Sequence, residues 1–304
     1  MRYLLRRLVL VPIPLILVVA FVFVVLRLTG DPVAIYLGVN ATPEQEAVLR
    51  AELHLDEPVA AQFAYFMNDL LHGDFGASIQ YQRAAMDVVM ERMGATLHLL
   101  AMGLTLAIVL GVLGGVMCAV RKDQWPDAVL SLSALAGQAM PSFWLGILLI
   151  QVFALDLGWL PTSGNDGWRS MILPVATLAV FLLPNFLLVT RVSMLETARA
   201  PFVTAARARG AGPSRTLWRH VLPNAINPVI SLAGLQLGRM MGGAVVTETV
   251  FAWPGVGRLM VNAIFQRDVP VVVAAVFIVA VTIILANLLV DLIQAVVDPR
   301  IRLR

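Results

Sequence analysis

The chain has 304 residues, of which 59% are hydrophobic and only 13% charged, and its mean hydropathy is +0.84; an average soluble domain is roughly 45–50% apolar and about 25% charged. A globule of this size cannot hide that much apolar surface, so a bilayer must cover the remainder and an ordinary soluble domain is excluded. The net charge of +3 and the pI near 9.5 do not call for nucleic acid, because the basic residues cluster at the ends of apolar runs.

A transmembrane helix needs about 20 mostly apolar residues, since a rise of about 1.5 Å per residue must cross about 30 Å of hydrocarbon. Six stretches qualify: residues 8–28, 97–120, 128–155, 171–190, 226–247 and 271–293. The first follows Arg2, Arg6 and Arg7 in the manner of a signal peptide. It is too long for one, and no small-x-small cleavage site precedes the polar segment, so it is read as a retained span. An even number of spans puts both ends on one side. Arg121 and Lys122 after span two, Arg191, Arg199, Arg207, Arg209, Arg215 and Arg219 after span four, and Arg300, Arg302 and Arg304 after span six share that side with the N-terminal arginines. The positive-inside rule makes it cytoplasmic.

The sequence therefore predicts an all-α integral membrane protein with six transmembrane helices, cytoplasmic N- and C-termini and a small helical extracytoplasmic subdomain between spans one and two. Its segments are 1–29, an N-terminal arm and first span; 30–95, the extracytoplasmic subdomain; and 96–304, the core, with a cytoplasmic loop at 191–225. Residues 30–95 carry many of the acids, among them Asp31, Glu44, Glu46, Glu52, Asp56, Glu57, Asp69, Asp74, Asp87 and Glu91, and are solvated. Within them Thr42-Pro43-Glu44-Gln45 reads as an N-cap, a proline at the first helical position and a capping-box glutamine, which predicts a helix over 43–54. A second is predicted from Pro58 to Leu71.

Gly234, Gly238 and Gly242 in span five share one helix face, which lets a neighbouring helix approach closely. Pro184 inside span four frees a backbone carbonyl, which is tolerated only against protein or water. Cys118 reads as a small packing residue. His54, His72, His98 and His220 lack metal-ligand spacing, so no metal site is expected. An arginine at the centre of a span costs roughly 2.5–3.5 kcal/mol, so Arg239 in span five must face a partner or water. Arg239, with Gln236 one turn before it and Pro141 in span three, is a candidate to line a pathway, and Arg239 could attract a substrate carboxylate or be a structural pair. Asp291 near the inner end of span six is read as snorkelling or paired, and Glu248 as helping to order the Phe251 to Gly257 loop.

The most informative segment lies between spans four and five. Thr204-Ala205-Ala206-Arg207-Ala208-Arg209 is a run of helix formers, Gly210-Ala211-Gly212-Pro213 a break, and residues 214–221 a second short helix expected to stop at Pro223. A helix-turn-helix on the membrane face suits a partner, although charge alone also fits a cytoplasmic anchor.

This loop resembles the membrane subunits of ABC importers, whose pattern is E-A-A, three residues, Gly, nine residues, I-x-L-P. Ala205, Ala206, Gly210, Leu222 and Pro223 match it; Thr204 replaces the glutamate and His220 the isoleucine. The form of the loop around Arg207 and Arg209 is similar to the dipeptide, oligopeptide, nickel and glutathione permease branch. Gly30-Asp31-Pro32, Leu55-Asp56 with Pro58, Gln62 and Phe63, Gly73-Asp74-Phe75-Gly76 with Ser78, Pro141-Ser142-Phe143, Trp159-Leu160-Pro161, Glu248 to Phe251, Pro254-Gly255 with Gly257, and Asp298-Pro299-Arg300-Ile301-Arg302 also match, in order, over nearly the whole chain. The glutathione and dipeptide permeases are most similar around Trp125-Pro126-Asp127 and Gln151 to Pro161.

The resemblance implies a permease subunit of a bacterial inner-membrane importer, with Thr204, Ala205, Ala206, Arg207, Arg209, Gly210, Leu222 and Pro223 in a loop that docks on an ATPase. It further implies two cytoplasmic ABC ATPase subunits, a related second permease chain in a heterodimer and an extracytoplasmic substrate-binding protein. No GxxxxGK[ST] loop occurs, so this chain is expected to bind no cofactor and to leave ATP to its partners. Peptides, glutathione and nickel complexes all remain open as cargo. An ion-coupled secondary transporter would show repeated, interrupted spans, and a membrane enzyme a catalytic constellation at one depth; the sequence shows neither clearly.

Overall fold

A computed structural model of the chain describes residues 12–28, 33, 42–52 and 54–297. In order they form α1 (Pro12–Leu28), α2 (Pro43–Glu52), α3 (Val59–Leu71), α4 (Ala85–Val120), α5 (Trp125–Ala139) and α6 (Ser142–Leu149), which runs on as a π-helical stretch, Ile150–Asp156. Then come α7 (Trp168–Thr197), α8 (Pro201–Ala208), α9 (Pro213–Thr216), a second π-helical stretch Leu217–Val221, α10 (Leu222–Ala225), α11 (Asn227–Val250), α12 (Val256–Phe265) and α13 (Val269–Val297). Among the described residues there is no strand, only an isolated bridge between Ala77 and Ala84. The N-terminal arginines, Gly30-Asp31-Pro32 and the terminal Asp298 to Arg304 lie outside the described residues.

Four of these helices are long and apolar enough to cross a membrane: α4, α7, α11 and α13 over Val269–Val290. The span expected over 8–28 is described only from Pro12, as α1. The single span expected over 128–155 is instead two helices, α5 and α6 with its π extension, bent by 104° at their junction. The cause is local. Met140 precedes Pro141, whose ring disfavours the helical conformation in the residue before it, and Met140 is extended at φ −81°, ψ 134°. Helix α4 starts at Ala85, twelve residues ahead of the expected span at 97.

The chain divides into two compact units, Met1–Gly94 with Gly255–Ile284, and Ala95–Pro254 with Leu285–Arg304. In the first, Val19, Leu70, Phe75, Val88, Val89, Val256, Leu259 and Val271 form one apolar core. The capping box at α2 is formed, with Gln45 N–H donating to Thr42 Oγ1 at 3.3 Å and Thr42 N–H to Gln45 Oε1 at 3.1 Å. Buried Gln62 donates to the carbonyls of Leu55 (2.9 Å) and Glu57 (2.7 Å), tying the turn before α3 to the helix. The Gly73 to Ser78 motif is a pinned turn. Gly73 and Gly76 sit at φ +77° and +80°, Gly76 N–H donates to Asp74 Oδ1 at 2.8 Å, and Phe75 packs on Phe277. Ser78 Oγ and the Gln80 N–H then donate to the buried carboxylate of Asp268.

In the second unit α7 is the central helix, packed by α5, α6, α10 and α11. Its prolines, Pro174 and Pro184, both lie inside one continuous helix. Pro184 leaves the Val180 carbonyl without its helical donor, and that carbonyl faces α5 at Gly137, 4.0 Å from where a Cβ would stand. Helix α4 meets α7 even more closely. A Cβ on Gly111 would lie 2.5 Å from Phe186 Cβ, and one on Gly115 2.5 Å from Thr190 Cβ and 2.6 Å from the Leu187 carbonyl. Of the three glycines spaced by four along α11, Gly234 lies against Val290, Gly238 meets Asn287, and Gly242 faces open space. Glu248 is fully buried and accepts from Thr96 Oγ1 at 2.6 Å. Its own carbonyl accepts from Trp253 N–H at 2.8 Å, and Trp253 Nε1–H donates to the Ala95 carbonyl at 3.0 Å, so the corner after α11 is held at three points.

Overpacking a tight seam costs roughly 1–3 kcal/mol. Gly115→Val is therefore expected to lower the thermal midpoint of the detergent-solubilised protein by several degrees, whereas Gly242→Ala, with open space around it, leaves it unchanged; size-exclusion after heating reads both.

Candidate functional site

The segment after α7 builds a seat and a free face from a short sequence. Helix α8 opens on Pro201, whose fixed φ suits the first turn. It turns Val203 and Ala206 inward, and Val203 joins Val116 of α4, Met194 of α7, Val221 and Ala225 in one apolar cluster. Leu222 packs against the same cluster. Thr204, Ala205, Arg207 and Arg209 are exposed. The helix is closed by Gly210 at φ +86°, with its N–H on the Arg207 carbonyl (2.9 Å) and the Ala211 N–H on the Ala206 carbonyl (3.1 Å). No atom lies within 4 Å of a Cβ placed on Gly210, so glycine is needed there for its backbone and not for space. Between this loop and the ends of α4 and α7 is an apolar hollow of about 570 Å³ that includes Arg207, Leu217 and Trp218 in its lining.

The expected stop at Pro223 does not occur. The chain stays helical through Pro223 and into α11. The widened stretch Leu217–Val221 is the reason. Leu222 N–H bonds the Leu217 carbonyl five residues back, and a proline with no N–H fits the turn after it. Pro223 itself is exposed.

Beside this seat is a pairing that the sequence left unannounced. Arg191 near the end of α7 donates through Nε to Asp127 Oδ1 and through Nη2 to Asp127 Oδ2, both at 2.7 Å. Asp127 Oδ2 also accepts from the Asp123 N–H at 3.1 Å, and Cys118 is buried next to it. The two-pronged geometry fixes the start of α5 against α7. The signal was only a lone acid at the first turn of α5, 64 residues from its arginine.

A second feature is a cavity of about 490 Å³ in the same unit, lined by Gln138 of α5, Ser142 of α6, Leu178, Phe181, Leu182 and Asn185 of α7, and Gln236, Arg239, Met240, Gly242 and Gly243 of α11. Gln236 and Arg239 thus lie together on it. Pro141 is not in the lining; it is exposed at the bend, next to Ser142. Gln236 is only 3% exposed, while Arg239 is exposed.

Several apolar helices long enough to cross a membrane, with a helix-turn-helix on a seat at the ends of two of them, define a polytopic membrane protein. Comparison with known proteins narrows the class. Residues 111–303 match the family described as binding-protein-dependent transport system inner membrane component, and residues 1–100 its N-terminal companion. The glutathione transport system permease protein GsiC of Salmonella choleraesuis (strain SC-B67) is 39% identical over 303 residues, covering 99% of each chain. GsiC of Escherichia coli (strain K12) is 37% identical over the same length and coverage. Among solved structures, the MetNI methionine ABC transporter in an inward-facing conformation contains a chain similar in fold, with TM-score 0.58, 19% identity, and coverage of 69% of this chain and 96% of that one. An amino acid ABC transporter with histidines gives TM-score 0.51 at 20% identity, with coverage of 69% and 94%. The chain belongs to the family of binding-protein-dependent transport system inner membrane components. It is an ABC importer permease subunit of the bacterial inner membrane.

Hydrogen bonds to charged groups contribute about 1.5–3 kcal/mol, and removing one partner of a mostly buried ion pair strands the other. Asp127→Asn is expected to destabilise the solubilised protein by about that amount, and Asp127→Asn with Arg191→Gln to recover part of it, as read by thermal unfolding.

Proposed function

We propose that the chain forms half of the translocation pathway of an ATP-driven importer of peptides, of dipeptide, oligopeptide or glutathione type, and that residues 201–225 dock it on a separate ATPase. Both termini and this loop face the cytoplasm, a related second permease completes the pathway, and an extracytoplasmic binding protein delivers the cargo. This chain binds no cofactor; ATP is bound and hydrolysed by two ATPase subunits. The peptide reading is supported by relatives of 37–39% identity along the full chain that are named for glutathione transport.

The docking reading rests above all on the division of α8 into a buried face, Val203 and Ala206, and an uncovered face bearing Thr204, Ala205, Arg207 and Arg209. A small-residue face on a firm seat lets a partner come close, and its arginines can meet acids on that partner. Because the seat includes Val116 of α4 and Met194 of α7, a push on α8 is carried straight to two long helices. Closure of the ATPases would then tilt them between outward-open and inward-open states.

Ala205→Trp is expected to abolish co-purification of the ATPase and peptide-stimulated ATP hydrolysis while leaving yield and monodispersity intact, and Asn68→Trp, on the exposed side of α3, to leave all of these unchanged. Gly210→Val, which places a branched side chain at positive φ at a cost of about 1–2 kcal/mol, should uncouple hydrolysis from uptake more than Gly210→Asn. ATPase bound as strongly by Ala205→Trp as by the wild type would refute the docking role.

A further inference from the structure

The cavity between α5, α7 and α11 carries a selectivity that can be read from its walls. Among the described residues one charge lines it, the guanidinium of Arg239, and no carboxylate does. Around it are three carboxamides, one from each helix: Gln138, Asn185 and Gln236. Phe181 and Met240 supply apolar wall. Among the described residues Arg239 has no ion pair, and Gln236, although only 3% exposed, makes no hydrogen bond. The amide of Gln236 and the guanidinium of Arg239, which is exposed, therefore keep their donors open to the cavity, where a ligand or water can take them up.

The other side of α11 is spoken for. Gly234 and Gly238 lie against Val290 and Asn287, whereas Gly242 and Gly243, in the lining one turn beyond Arg239, have nothing within 4 Å of an added Cβ. Helix α11 is thus packed at Gly234 and Gly238 and left open at Gly242 and Gly243, beside Arg239. A volume of about 490 Å³ falls in the range of about 300–1,000 Å³ usual for small-ligand sites.

We propose that this cavity is a transit site selective for the terminal carboxylate of the cargo, with Arg239 pairing with the carboxylate and the carboxamides of Gln236, Gln138 and Asn185 bonding the adjacent peptide groups. A guanidinium forks onto a carboxylate, and a carboxamide both donates and accepts, as a peptide group requires. The phenyl and thioether wall takes side chains of varied shape, so the site reads the end and backbone of a peptide and tolerates its sequence. The proposal rests on the importer reading above, and its test separates the two.

The complete transporter in lipid nanodiscs is titrated, without ATP, with labelled trialanine and with trialanine amide, which lacks the carboxylate. The same pair is used for ATP-driven uptake into proteoliposomes with the binding protein. The wild type is expected to bind the acid at least tenfold more tightly than the amide, and Arg239→Gln to remove that preference by weakening the acid alone by roughly tenfold or more. Arg239→Lys restores part of it. Gln236→Leu weakens acid and amide alike, since its partner is a peptide group. Equal loss of both ligands in Arg239→Gln would overturn the proposal and make Arg239 a structural partner of another chain or of a lipid headgroup; equal binding of both by the wild type would overturn it outright. If the wild type binds the acid selectively but drives no ATP-dependent uptake of it, the importer reading fails and the carboxylate site stands.

Discussion

The contact on which the second unit depends is the near-touching of two backbones, α4 at Gly111 and Gly115 and α7 at Phe186 to Thr190. In a bilayer the lipid is as apolar as any leucine, so helices gain little by hiding hydrophobic surface from it and associate by close packing. Glycine makes that approach possible, and the consequence appears within the next turn. Val116 and Met194 are brought side by side, and they are the floor on which Val203, Val221 and Ala225 settle. The surface helix-turn-helix is thus positioned by two glycines several residues away, and the Asp127–Arg191 fork fixes the start of α5 to the same end of α7.

Helix α7 is also where the bundle resolves its prolines. Pro184 costs the Val180 carbonyl its helical donor, and α5 faces the spot with a glycine, Gly137, so that the freed carbonyl lies against protein. A few residues on, α5 ends at the extended Met140, and α6 leaves at 104°. Gln138 and Ser142, on either side of the bend, both line one cavity with α7 and α11.

What the sequence made legible follows from what depends on near neighbours alone. Hydropathy marks α4, α7, α11 and α13 because lipid imposes a length and a composition on each helix separately. The capping box at Thr42 and Gln45 and the Gly210 turn are equally local, set by residues within a few positions of one another. The π-helical stretch that carries the chain past Pro223 was illegible, since it trades a regular turn for a wider one under the pull of the apolar cluster that buries Val221 and Ala225. The bend at Met140 was half-legible. Pro141 announced a disturbance, but proline sits inside α7 twice without ending it, and only the surroundings decide between a tolerated proline and a corner. The Gly111-Val112-Leu113-Gly114-Gly115 run was in plain view, yet small residues are common in spans, and nothing in a single chain says which glycines meet a neighbour and which, like Gly242, meet open space.

That difference between the glycines of α11 bears on what kind of object this chain is. Its lower glycines are closed by Val290 and Asn287, while the face with Gln236, Arg239 and Gly242 is left open and polar. A membrane protein cannot turn an unpaired arginine to lipid without a large loss, so the open face of α11 must border protein, water or cargo. Polar groups that found full partners within one chain would make a better-satisfied core and a poorer pathway, because a passing solute would have to break those bonds to gain its own. The carboxamides and the guanidinium on this wall make no ion pair or side-chain hydrogen bond among the described residues, so their donors stay open to whatever borders that face.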